Sequence, residues 1–127
     1  MQDKDLFEYA VIRVMPRVER EEFINVGVIL LCRKQQFLQA LYTVNAQKLL
    51  AFCDQLDIQE IEAHLGSFVR ICAGGSNGGP IGQLTPAERF RWLTAMRSTI
   101  IQTSRVHPGM GSDPATALQK LFDSMVL

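Results

Sequence analysis

Two segments that are apolar on both sides constrain this chain more than any other feature. Phe7 to Met15 is rich in β-branched and aromatic residues and stops at Pro16, which reads as a strand. Alternation places Phe7, Tyr9, Val11, Arg13 and Met15 on one face and Ala10, Ile12 and Val14 on the other. Ile24 to Arg33 has the same character and is expected to lie centrally. A strand that is apolar on both faces must be covered on both, so further chain has to pack above and below the sheet. After the short polar break Lys34-Gln35-Gln36, Phe37 to Thr43 supplies a third strand. Connections this short favour an antiparallel meander.

The remaining elements announce themselves by caps and periodicity. Asn45 is placed to cap a helix with the stripe Ala46, Leu49, Leu50 and Cys53. Asp57 caps a second, whose Ile58, Ile61, Leu65, Phe68, Val69 and Cys72 share one arc. Residues 74–82 then read as a flexible glycine loop, too short to separate two domains. Thr85-Pro86-Ala87-Glu88 is a capping box with proline at the first helical position. Its helix carries Phe90 and Leu93 inward and turns Trp92 away, as an interface residue or a lid over a secondary cluster. Ser98 to Val106 reads as a fourth strand, His107-Pro108-Gly109 as a turn, and Asp113-Pro114 as the start of a last helix with Leu118, Leu121, Phe122 and Met125 inward. The expected fold is a single α+β domain over residues 1–127. It has an antiparallel sheet of about four strands, a three-strand N-terminal meander plus a later one, packed with about four helices.

Composition removes several function classes. No apolar run approaches the ~20 residues of a membrane-spanning helix. The polar, acidic start Met-Gln-Asp-Lys-Asp is not a signal peptide, so a cytoplasmic location is expected. Cys32, Cys53 and Cys72 are odd in number, contain no C-x-x-C and fall in phase with apolar neighbours, as small buried hydrophobes do. His64 and His107 stand far apart with no cysteine partners and no H-E-x-x-H, so no metal is expected, and no cofactor motif is present. His64, four residues after Glu60, suits a helix-surface ion pair. The glycine loop follows a helix and lacks G-K-[ST], which removes the phosphate-loop reading; no G-x-S-x-G marks a nucleophile.

Net charge is zero, but the distribution is uneven. Residues 1–65 hold ten acids and seven bases, and residues 66–127 three acids and six bases, giving −3 and +3. Either the halves attract one another within the fold, or the Arg-biased second half faces a partner. Arg89, Arg91, Arg97 and Arg105 with His107 would form such a basic surface. The pI near 6.7 and the lack of interleaved aromatics weaken its nucleic-acid version.

The segment Pro16-Arg17-Val18-Glu19-Arg20-Glu21-Glu22, between two strands that read as buried, is the most unusual in the chain. It is longer and more charged than a hairpin connection requires. Alternating Arg and Glu can satisfy one another as a salt-bridge ladder. Alternatively, Arg17 and Arg20 present planar forks to an anion or to carboxylates of a partner, with Glu19, Glu21 or Glu22 orienting them or acting as bases. Arg13, inside an apolar strand, needs a partner if buried. Asn25 and Gly27 open the next strand, and a glycine there marks tight packing, a bulge or a close backbone approach.

The block from Tyr9 to Leu30, Y-A-V-I-R-V-M-P-R-V-E-R-E-E-F-I-N-V-G-V-I-L, resembles the core signature of a bacterial family of domains of unknown function, number three thousand and thirty-seven. Glu88-Arg89-Phe90-Arg91-Trp92-Leu93, Arg97-Ser98-Thr99-Ile100-Ile101-Gln102, Val106-His107-Pro108-Gly109 and Asp113-Pro114 resemble its second signature. Met96 departs from the proline expected before Arg-Ser, which bears only on the end of that helix. The resemblance covers nearly the whole chain. It implies a small bacterial protein of no established activity, with members encoded beside a HipA-like kinase, and so a protein partner.

The leading expectation is a binding or accessory module. Its recognition residues would be Arg13, Arg17, Glu19, Arg20, Glu22, Asn25, Arg89, Trp92, Arg97, Arg105 and His107. The alternative is a small enzyme acting on a phosphate-bearing or nucleic-acid substrate. There Arg13, Arg17, Arg20 and Arg97 would hold the anion and Glu19 or Glu22 would act as base.

Overall fold

The N-terminal meander forms as its hydrophobic pattern requires. β1 (Asp5–Val14), β2 (Ile24–Cys32) and β3 (Phe37–Tyr42) pair antiparallel in sequence. The outer side of β1 is taken by two shorter strands placed end to end, β4 (Ile101–Thr103) and β5 (His107–Gly111). The order β3-β2-β1-β4, with β5 also on β1, makes a five-stranded antiparallel sheet. Among the described residues four helices complete the α+β fold: α1 (Ala46–Phe52), α2 (Ile58–Ala73), α3 (Pro86–Thr94) and α4 (Pro114–Met125). This computed structural model describes residues 4–95 and 99–127.

Both faces of the β1–β2 pair are covered, by different parts of the chain. Ala10, Ile12, Val14, Ile29 and Leu31 pack with Leu49, Leu65, Phe68, Phe90 and Leu93 of α1, α2 and α3. On the other face, Phe7, Val28, Leu30 and Cys32 meet Leu118 and Phe122 of α4. Each helix begins where its cap places it. Asn45 accepts from the Lys48 N–H, Asp57 from Glu60, Thr85 from Glu88 within a complete capping box, and Asp113 from Ala115.

The single fourth strand expected over residues 98–106 is instead broken, and Met96, Arg97 and Ser98 lie outside the described residues. The break is at Ser104. Its N–H donates to the Val11 carbonyl (2.8 Å), and its hydroxyl, standing in for a carbonyl, accepts from the Val11 N–H (2.9 Å). The ladder survives there while the chain changes register. The expected turn at His107-Pro108-Gly109 is extended strand, with His107 opposite Tyr9 and Pro108 opposite Glu8. Pro108 is tolerated because strand parity points its missing N–H away from β1.

The glycine-rich segment also departs from the expected flexible loop. It forms two 3-10 turns, Ser76–Gly78 and Ile81–Gln83, and is closed by the Gly75 N–H on the Gly82 carbonyl at 2.9 Å. A Cβ on Gly82 would lie 2.3 Å from the Gly75 carbonyl oxygen, so the closure needs glycine. Among the described residues no Lys or Arg ion pair joins the two halves of the chain. The pairs Arg20–Glu22, Arg33–Glu8 and Lys34–Asp5 lie within the N-terminal half.

Gly27 combines two of the roles open to a glycine in a strand. The β1–β2 register shifts between Ile12, opposite Gly27, and Arg13, opposite Asn25, leaving Val26 as the extra residue. A Cβ at Gly27 would sit 2.5 Å from the Leu41 carbonyl oxygen and 3.2 Å from Ile12 Cδ1. Gly27→Ala is therefore expected to cost about 2 kcal/mol by overpacking. The expected readout is a lower urea midpoint at unchanged slope, and an unchanged midpoint would refute the close-approach reading.

Candidate functional site: a cleft beside the charged turn

The link between β1 and β2 is shaped by one short turn and one unusual residue. Val18–Arg20 form a single 3-10 turn, and Glu21 follows in the left-handed region at φ 56°. That reversal swings Glu22 back onto Arg20, and the two side chains pair. The ladder suggested by the alternating charges thus reduces to one bridge. Arg17, Glu19 and Glu21 have no ion-pair partner among the described residues.

Pro16, Arg17, Arg20 and Glu22 form one wall of a cleft of about 460 Å³. Residues 50–55, the end of α1 and the chain after it, form the other. Leu50 was expected on the buried stripe of α1, but α1 is only seven residues long and buries Leu49 alone. Leu50 and Phe52 are 39% and 38% exposed and line the cleft. The cleft therefore has apolar side chains on one wall and two guanidinium groups on the other. Glu22 and Asp54 contribute the opposite sign, so its formal charge is balanced. Such a site suits a peptide-like segment with mixed apolar and acidic groups better than a bare polyanion.

The other candidate residues are dispersed. Arg13 lies opposite Asn25 on β2 and Gln102 on β4, outside the lining of the cleft. Its guanidinium stacks over the Phe23 ring, 3.9 Å from the centroid, so its partner is an aromatic face. Desolvation pushes its pKa below the usual arginine value, and its buried Nε has no hydrogen-bond partner among the described residues. Asn25 donates from Nδ2 to the Met125 carbonyl (3.1 Å) and so ties β2 to the end of α4. Glu19 is exposed on the turn but does not line the cleft, and Arg105 is exposed between β4 and β5. His107 packs its ring 5.4 Å from that of Tyr9. Trp92 is 39% exposed over a separate groove lined by Glu60, His64 and Phe68 of α2. Arg97 lies outside the described residues.

Arg89 requires a correction, because it is buried at the floor of the groove between β3 and α2 and does not join the exposed arginines in a basic surface. Its Nη1 donates to the carbonyls of Ile71 (2.7 Å) and Cys72 (2.6 Å), and its Nε to that of Leu84 (3.0 Å). These bonds supply donors to carbonyls at the C-terminal end of α2, where the Ile71 carbonyl also accepts from the Gly74 N–H, and pin the glycine-rich segment to α3. Burial pushes the neighbouring Cys72 thiol up to about 12, with the charge of Arg89 acting weakly in the other direction. Among the described residues no group of three or more His, Cys, Asp or Glu could hold a metal ion. None of their helices is long and apolar enough to cross a membrane.

The fold and cleft define a two-faced α+β domain with a compound apolar and charged surface groove. Residues 9–126 match the family described as Protein of unknown function (DUF3037), and the chain belongs to that family. No curated protein and no solved structure matches the chain.

Three outcomes follow from Arg89 and the cysteines. Arg89→Met should cost about 3 kcal/mol of unfolding free energy by removing three hydrogen bonds from a charged donor, two of them buried, and leaving the Cys72 carbonyl without its guanidinium partner, whereas Arg91→Ala, exposed on the same helix, should be near neutral. Equal, small losses in denaturant melts would remove the capping role. The native protein at pH 8 should expose only Cys53 to a thiol reagent, since Cys32 and Cys72 are buried. Because the unfolded Cys72 thiol ionises near 9 and the folded one only near 12, the stability it contributes is complete below pH 9 and declines as pH rises between those values.

Proposed function

We propose that this protein is a non-catalytic binding module of the bacterial cytoplasm that takes a segment of a protein partner in the cleft between its charged turn and α1. One observation carries the reading: Arg17 and Arg20 stand across a cleft of about 460 Å³ from the exposed Leu50 and Phe52. Arginine forks beside partly exposed apolar and aromatic side chains are the residue types that dominate protein interfaces. Arg17, with no ion-pair partner of its own among the described residues, is free to meet a carboxylate of the partner. The partner segment would carry an acidic residue flanked by apolar ones. A HipA-like kinase, which the family resemblance places in the gene neighbourhood, is the first such partner to test.

The enzymatic alternative is less well supported. It needs Arg13, Arg17, Arg20 and Arg97 on one anion, yet Arg13 is stacked on Phe23 away from the cleft. Of its two bases, Glu22 is engaged by Arg20 and Glu19 does not line the cleft.

The double substitution Arg17→Ala with Arg20→Ala tests the proposal. The variant should keep its circular dichroism spectrum and lie within about 0.5 kcal/mol of the parent in stability, as exposed positions do. It should lose pull-down of the kinase, and Phe52→Ser should weaken it through the opposite wall. Pull-down unchanged in both variants would overturn the proposal.

A further inference from the structure

The two edges of the sheet are built differently. On the outer side of β1 the edge is interrupted at Ser104, carries Pro108 and places the exposed Arg105 at the interruption. Breaks, prolines and charges are the devices by which proteins keep sheet edges from pairing with other chains. β3, the opposite edge, has none of them. Its six residues run in unbroken register with β2, contain no proline and show no bulge. The chain from residue 35 to residue 47 contains no charged side chain at all.

The hydrogen-bond parity of β3 is fixed. Thr43 donates to the Val26 carbonyl at 2.8 Å, so Leu41, Gln39 and Phe37 point their backbone groups toward β2. Leu38, Ala40 and Tyr42 then point their N–H and C=O groups outward. No hydrogen bond to these groups is made among the described residues. Beside them, between β3 and α2, runs a groove of about 480 Å³ flanked by Val69, which is 40% exposed, and by Ala73.

We infer that this edge is a self-association surface, and that two copies pair β3 against β3 about a two-fold axis at Ala40 to form one continuous ten-stranded sheet. In that register Ala40 faces its own copy, Leu38 faces Tyr42 and Gln39 faces Leu41, so no charge or polar–charged clash arises along the seam. The same axis sets the two α2 helices antiparallel on one face. α2 carries Glu60 and Glu62 toward its N-terminal end and Arg70 toward its C-terminal end. Antiparallel placement brings the acidic end of one helix toward the basic end of the other. Glu62 has no ion-pair partner within its own chain among the described residues. A second copy therefore fits this edge in hydrogen bonding, apolarity and charge at once. It is independent of the cleft and of what the cleft binds.

Sedimentation equilibrium of the full chain tests the inference. The parent should be a dimer whose dissociation is reversible. Ala40→Pro removes an N–H that points away from β2, so it breaks no ladder bond within the monomer but deletes the two central bonds of the seam. It should weaken dimerisation by ~30-fold or more. Gln39→Lys, at an exposed position, supplies the missing edge charge and should shift the protein to monomer without lowering its melting temperature, which covers the case that the proline variant fails to fold. A parent that stays monomeric at concentrations of about 100 µM, well above a micromolar dissociation constant, overturns the inference. So does a dimer that Gln39→Lys leaves intact.

Discussion

The β1–β2 ladder sets what every other element must do. Ile12, Val14, Ile29 and Leu31 need cover on one face while Val28, Leu30 and Cys32 need it on the other. The link between the two strands, residues 15–23, is too short to reach over either face. Cover must come from later chain, and it does: α1, α2 and α3 follow the meander onto one face, and α4 closes the other only at the end of the sequence. β1 also needs a partner on its outer side, which arrives as β4 and β5 after α3. Because the link is relieved of structural duty, it can hold a dense cluster of charges at the surface beside α1.

What was legible in the sequence is what depends on near neighbours. The meander follows from alternation and short connections. The helix starts follow from Asn45, Asp57, Thr85 with Glu88, and Asp113, whose cap bonds span two or three residues. The misread parts depend on partners far along the chain. Ser104 breaks the last edge by bonding to Val11, 93 residues away, and Pro108 reads as a turn until β1 is known to lie beside it. The glycine-rich segment reads as a linker because nothing local reveals that Gly75 and Gly82 touch.

The same division runs through the candidate site. The charged turn stands out in the sequence because its composition is out of place between two apolar strands. Its chemistry does not, since the left-handed Glu21 decides which Arg and Glu meet. Arg89 looked like one of several surface arginines. Its role appears only when the end of α2, 17 and 18 residues earlier, is brought against it. Leu50 fitted a helical stripe that a longer helix would have buried, but α1 ends within two turns. Phe23 carried a usable signal: an aromatic directly after a run of charge offers a cation a face, and Arg13 takes it.

The two proposed surfaces have a geometric consequence when taken together. α1 leaves from the Tyr42 end of β3, with only three residues between them. A two-fold axis at Ala40 reverses the strand direction across the seam, so the α1 ends of the two copies lie at opposite ends of it. The clefts beside them are then far apart. A single partner segment could not fill both, whereas a partner with two copies of the segment, or a partner that is itself two-fold, could. Binding the second cleft would then be intramolecular, and its contribution would depend on whether the partner's spacing matches the span of the seam. The sheet edge would thus set the valency of the cleft without touching its chemistry.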